Sequence, residues 1–258
     1  MQNDVITFAV GPAVAPELAL AADGLAEGLR AAGRASEVLI DPWPETLAGR
    51  RLVVEVGDVD HAPDRCRLDF GSRSDLELVD AGERASSLPF ALPSLPAMGG
   101  RPNILFVGGD AGRRTRMMAK TFEALRRRGG PAIVVWRPLP DELLRQRFPG
   151  EVHSDPSGPE LRRLLGSAAA LVEVSDEATA EGMLVAAIGR ASGIPTVVHA
   201  ALPVQEWDGR ITVSEWSGEA FADAALAAAR RPANAELGAA IRREAGAQLA
   251  LLLPATLG

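Results

Sequence analysis

Tyrosine is absent from this 258-residue chain, while lysine occurs once, at Lys120, and cysteine once, at Cys66. A single thiol excludes an internal disulfide and any cysteine-rich zinc site, and it fits a reducing cytoplasm with Cys66 as a buried structural residue. No apolar run approaches the ~20 residues that a membrane-spanning helix requires. Met1-Gln2-Asn3-Asp4 lacks the basic start of a secretory signal, so the expected location is cytoplasmic. The Gly-x-Gly-x-x-Gly and Gly-Lys-Ser/Thr patterns are also missing, which argues against standard NAD or P-loop ATP use. A net charge of -7 argues against broad nucleic-acid binding, since a phosphate-tracking surface is normally basic.

What is present is apolar and alternating. Hydrophobic residues make up 47% of the chain, ample for one large or two small cores, and abundant Ala, Arg and Gly beside scarce Lys look like a high-GC bacterial coding sequence. Val5 to Val10 reads as a strand broken by Gly11-Pro12. A helix follows from Pro16 to Ala32, with Leu18, Ala22, Leu25 and Leu29 on one face and Gly33 ending it. Further strands are predicted at 37–40, 51–56 and 75–79. Residues 86–101, with Pro89, Pro93, Pro96 and Gly99-Gly100 and with Pro102 just beyond, tolerate neither a long helix nor a central strand. A domain boundary is therefore placed there, giving domains 1–96 and 97–258.

The second domain reads as a train of strands and helices. Strands are predicted at 103–107, 132–136, around Val152, and at 169–174, 196–199 and 210–213. Helices are predicted at 114–128, 141–148, 159–165, 178–192, 219–229 and 234–252, the last with Leu237, Ile241, Ala245, Gln248, Leu249 and Leu252 on one stripe. In helix 114–128, Met117, Met118, Phe122 and Leu125 face inward, while Arg116, Lys120, Glu123 and Arg127 face out. Ala191-Ser192-Gly193-Ile194-Pro195 before Thr196-Val197-Val198 is a Gly-x-Pro entry into a buried parallel strand. Open α/β sheets place ligand crevices at the carboxyl edge of such strands.

Candidate residues cluster at predicted strand ends. Gly108-Gly109 and Arg113-Arg114 put a close-approaching backbone and two guanidiniums at a helix start, a setting for a diphosphate, or else a glycine-rich turn with solvated arginines. Such an anion site requires that no acidic side chain occupy its place. Ser154, before the helix at Pro159, can offer a capped loop to a phosphate or base, or simply cap the helix. Glu177 and Glu181 can bind sugar hydroxyls, or else complement a helix dipole. His61 lies between strands of the first domain with Asp58 and Asp60 nearby; it is the candidate acid or base there, or a surface histidine, and the spacing fits no metal motif. His153 and His199 face the presumed crevice as hydrogen-bonded packing residues or as acid–base groups. Trp136, Trp207 and Trp216 can stack on a base or sugar, or pack the rim.

The order of these pieces resembles the carboxyl-terminal half of retaining glycosyltransferases of the two-Rossmann-domain, group 1 type. The resemblance runs from Asn103-Ile104-Leu105-Phe106-Val107-Gly108-Gly109, with Arg114 where that family has a phosphate-binding lysine, through Gly158-Pro159-Glu160-Leu161 and Ala168-Ala169-Ala170-Leu171-Val172. It continues through Gly193-Ile194-Pro195-Thr196-Val197-Val198 and Asp208-Gly209-Arg210-Ile211-Thr212-Val213 to the closing helices, a little over half the chain. It implies an α/β fold of two Rossmann-like domains, with parallel sheets covered by helices on both faces and a reduced, acceptor-side first domain. It also implies a cleft binding a nucleotide diphosphate sugar, a small-molecule or peptide acceptor, metal-independent transfer without a cofactor, and Glu181 as a catalytic or sugar-binding residue.

The family's Glu-x7-Glu pair is broken here. Ala180 and Ile188 stand at those places, and a one-residue slide recovers Glu181 but puts Gly189 second. A catalytically inactive homologue that serves a partner protein is therefore the second expectation, and a dimer is compatible with either. A third, a nucleoside deoxyribosyltransferase-like enzyme, would need a nucleophilic Glu where Val185 stands, and often a tyrosine.

Overall fold

The computed structural model describes residues 5–42, 44–47, 50, 52–57, 66–71, 75–79, 85–96, 103–107, 112–136, 151–153 and 156–253. The chain divides into two compact units, Met1–Ser94 with Gly238–Gly258, and Leu95–Leu237. The first division falls inside the proline-rich stretch. From Gly238 onward the chain belongs to the first unit, whereas the sequence reading ran the second domain through to residue 258.

In the first unit, β1 (Ile6–Val10), β2 (Ser36–Ile40), β3 (Leu52–Val56), β4 (Cys66–Phe70), β5 (Leu76–Val79) and β6 (Ala85–Leu88) form one sheet in the order β2-β1-β3-β4-β5-β6. The first four neighbours are parallel, and β4-β5-β6 is an antiparallel meander. β1 and β3 are buried at every position, as interior parallel strands are, while β5 alternates buried and half-buried residues. The sheet is thus mixed rather than wholly parallel. The reason is local: residues 71–75 and 80–84 are hairpin-length links, too short for a parallel crossover. The sequence reading passed over β4 and β6, whose Cys66-Arg67-Leu68-Asp69-Phe70 and Ala85-Ser86-Ser87-Leu88 carry charged or small residues among the apolar ones. Cys66 is buried.

Helix α1 (Pro16–Ala31) starts with proline in its first turn and ends before Gly33, whose φ of 80° is the left-handed conformation of a helix stop. It is buried on most of its surface, Glu17 included. α2 (Pro44–Leu47) is a single turn.

The second unit's sheet has the order β12-β11-β10-β7-β8-β9, built from β7 (Asn103–Val107), β8 (Ala132–Trp136), β9 (Glu151–His153), β10 (Ala168–Val172), β11 (Thr196–His199) and β12 (Arg210–Val213). All five pairings are parallel. Counted within the unit, this is the Rossmann order 3-2-1-4-5-6, which reverses between β7 and β10. α3 (Arg113–Arg127) and α6 (Gly218–Ala228) cover one face through Met117, Met118, Phe122, Leu125 and Phe221 against Ile104, Phe106 and Val172. The inward and outward residues read from α3's periodicity are buried and exposed as expected. α5 (Ala180–Ser192) lies on the opposite face, where Ala186 packs with Val198 and Leu202. α4 (Gly158–Ser167) buries Leu161, Leu164 and Leu165. The helix expected at 141–148 lies outside the described residues.

Gly193 ends α5 at φ 71° in the left-handed region, and its backbone oxygen accepts from Asn234 N–H at 2.7 Å. A β-carbon there would sit 2.0 Å from Asn234 O. Gly193→Ala is therefore expected to destabilise the protein by about 2 kcal/mol or more, combining a strained φ with a backbone collision. Chemical denaturation checks this, and an unchanged midpoint would contradict it. α7 (Ala235–Leu252) then carries the chain back to the first unit, burying Gly238, Ile241, Ala245, Gly246 and Leu249 while leaving Leu252 exposed.

Candidate functional site at the carboxyl edge of the second sheet

In an open α/β sheet the strand order reverses at one place, and helices leave adjacent strands there in opposite directions, opening a crevice beyond the carboxyl ends. In the second unit that place is the β7–β10 pair. It is bordered by the start of α3 and by residues 173–181, which lead from β10 into α5.

Glu173 follows β10 and is fully buried. A carboxylate in that position needs compensation, and it is compensated closely. Its Oε1 accepts from Arg114 Nε at 2.9 Å, Ser175 N at 2.8 Å and Ser175 Oγ at 2.5 Å, and its Oε2 accepts from Arg114 Nη2 at 2.5 Å. The Arg114 side chain is 13% exposed. This is a two-pronged guanidinium–carboxylate pair of the strong kind. It closes the geometry around Arg114 without any ligand.

Arg113 is placed differently. Its side chain is 64% exposed, its Nη2 lies 2.7 Å from Asp176 Oδ2, and its guanidinium carbon stands 4.1 Å over the Trp216 ring. Trp216 is itself pinned, since its Nε1–H donates to Val174 O at 2.9 Å. Asp176 is 18% exposed, so the pair is open to water on the arginine side, where such contacts contribute about 0–1 kcal/mol and the Arg113 guanidinium can exchange with solvent or another anion. Acidic side chains therefore stand on both arginines that the sequence assigns to a diphosphate, the condition that opposes a free anion site. Arg114 is engaged inside the protein, and Arg113 is the arginine left at the surface.

Thr179 caps α5 by accepting from Gly182 N–H at 3.0 Å. Glu181 sits half-buried in the first turn and Glu177 is exposed before it, and neither carboxylate has a partner among the described residues. Both lie on the same carboxyl edge as Arg113. Gly108, Gly109, Ser154, His61, Asp58 and Asp60 lie outside the described residues, as does the Trp136 side chain.

Two histidines are accounted for by packing. His153 Nδ1 is 2.6 Å from Glu160 Oε1, in the first turn of α4. His199 Nδ1 accepts from Ala201 N–H at 3.2 Å, and its ring lies 6.4 Å from Phe221. Trp207 packs beside Leu202 and Val204. Trp216 is the aromatic that reaches the candidate site, and it holds a cation there.

Glu173 and Asp176 are the residues that sequence reasoning missed. A signal for Glu173 was available, since an acid inside Ala-Leu-Val-Glu-Val-Ser is buried by its neighbours and must be paired. For Asp176 no pattern distinguishes a helix-capping acid from an arginine partner. No group of three or more His, Cys, Asp or Glu among the described residues is arranged to hold a metal ion. No described helix is long and apolar enough to cross a membrane.

No protein-family model matches this chain, and no curated protein does. Among solved structures it is similar to the Escherichia coli ADP-heptose lps heptosyltransferase II, at 12% identity and a TM-score of 0.45, covering 87% of this chain and 98% of that one. It is also similar to a UDP-N-acetylglucosamine 2-epimerase from Listeria monocytogenes, at 12% identity and a TM-score of 0.47, covering 94% and 95%. The calicheamicin glycosyltransferase CalG4 aligns at 12% identity and a TM-score of 0.44, covering 100% of each chain.

Proposed function

We propose that the protein is glycosyltransferase-like and binds a nucleotide-activated sugar at the carboxyl edge of its second sheet, for transfer to a small-molecule or peptide acceptor. One observation carries this. At the reversal of a 3-2-1-4-5-6 sheet, the surface arginine Arg113 on its Trp216 platform shares an edge with two carboxylates, Glu177 and Glu181, that have no partner among the described residues. The arginine suits a phosphoryl oxygen, and the carboxylates suit hydroxyls. Gly108 and Gly109 would add close-approaching backbone and Ser154 a further polar contact.

In this proposal the protein binds, orients and neutralises, and no metal or cofactor is required. Arg113 stabilises charge building on the leaving diphosphate, and rate enhancement comes from positioning. Glu181 holds the sugar, and His61 is the candidate acid or base on the acceptor side.

A second reading is favoured by a specific observation: both arginines are already paired with acids, and the Glu-x7-Glu pair is broken. In it the protein is an inactive homologue that serves a partner protein. The nucleoside deoxyribosyltransferase reading gains nothing, since Val185 is buried in α5.

Calorimetry with UDP, GDP and their sugars tests the proposal. Glu181→Gln is expected to weaken sugar-nucleotide binding by about 1 kcal/mol and leave the bare nucleotide nearly unchanged. Equal loss for both would remove Glu181 from the sugar site. No binding of any nucleotide would favour the partner-serving reading.

A further inference from the structure

At the β7–β10 reversal, the paired side chains Arg113, Arg114, Glu173 and Asp176 sum to zero, and Glu177 and Glu181 on the same edge add two negative charges, so the site as it stands offers no net attraction to a diphosphate. The two paired acids are held very differently. Glu173 is fully buried and accepts from Arg114 and Ser175 through both oxygens. Asp176, itself 18% exposed, is held by an ion pair to a guanidinium that is 64% exposed. The Arg113 platform does not depend on Asp176, because Trp216 is anchored to Val174 O.

We infer that Asp176 is an intramolecular competitor for the ligand's phosphoryl group. On binding, the guanidinium of Arg113 exchanges Asp176 for a phosphoryl oxygen while staying stacked on Trp216, and the Arg114–Glu173 pair stays shut. This rests on the proposed nucleotide-sugar site and deepens it by naming the residue that sets its affinity. The exchange moves a guanidinium that is 64% exposed from one anion to another, so its own cost is small, and Asp176, 18% exposed, is left to solvent on its open side. Removing the competing charge leaves Arg113 stacked, exposed and unopposed.

Titration calorimetry with UDP at fixed ionic strength tests this on the wild type, Asp176→Asn, Arg113→Ala and the double variant. Asp176→Asn is expected to bind UDP about two- to fivefold more tightly, the scale of one charge pair at the surface. Arg113→Ala is expected to bind more weakly than wild type, and the gain from Asp176→Asn is expected to vanish in the Arg113→Ala background. Thermal melts of all four are expected to differ little, since the Arg113 side of the pair is 64% exposed. UDP binding to the wild type with no gain, or a loss, in Asp176→Asn overturns the competitor role and leaves the nucleotide site standing. A gain that persists without Arg113 also overturns it. Absence of UDP binding in both wild type and Asp176→Asn removes the nucleotide site itself, and the competitor with it.

Discussion

Glu173→Ala is expected to lower stability by about 3–5 kcal/mol, because it leaves Arg114, whose side chain is 13% exposed, without its carboxylate, strands the Ser175 N–H and removes the shorter of the Ser175 hydroxyl's two contacts. That is a large share of the roughly 5–15 kcal/mol that holds a domain folded. Arg114→Ala is expected to be damaging for the same reason, so lost nucleotide binding in that variant reports the fold before it reports a phosphate contact. Pairing Glu173→Leu with Arg114→Met removes both charges together. It should recover much of the loss, since apolar replacement of a whole buried pair is often close to neutral. Urea denaturation monitored by tryptophan fluorescence measures all three. A Glu173→Ala loss below about 1 kcal/mol would mean the pair is solvated rather than structural.

Gly246→Ala is expected to destabilise the first unit by about 2 kcal/mol, although helix propensity alone would favour alanine by about 1 kcal/mol. A β-carbon on Gly246 would lie 2.1 Å from Gly28 C, and one on Gly28 would lie 2.2 Å from Arg242 O. These contacts are backbone, which cannot rotate away, so α1 and α7 would have to separate. Around the crossing, Arg242 Nη1 donates to Leu92 O at 3.1 Å, and Glu27 accepts from Ser94 N and Oγ. Separation would strain these bonds as well. Denaturation curves decide the sign: a more stable Gly246→Ala protein would show that propensity outweighs the close crossing.

Much of the second unit was legible because each of its elements announces itself locally. The periodicity of α3 separated Met117, Met118, Phe122 and Leu125 from Arg116, Lys120, Glu123 and Arg127, and short apolar runs marked β7, β10 and β11. β4 and β6 were missed because one edge of a mixed sheet needs little apolar sequence. The candidate site was half legible. Arg113, Arg114 and Glu181 stood out by type and place, but the acids that the two arginines touch stand about sixty positions away.

The order of residues alone determined that the chain is α/β, that a proline-dotted stretch divides it, and that Gly33 ends a helix, because backbone preference and burial periodicity act over a few neighbours. Tertiary structure alone decided that Glu173 claims Arg114, that Asp176 and Trp216 hold Arg113, and that α7 returns to pack its glycine against Gly28. A salt bridge or a close helix crossing is a meeting of distant segments. Which segments meet is settled by how the whole chain buries its apolar surface.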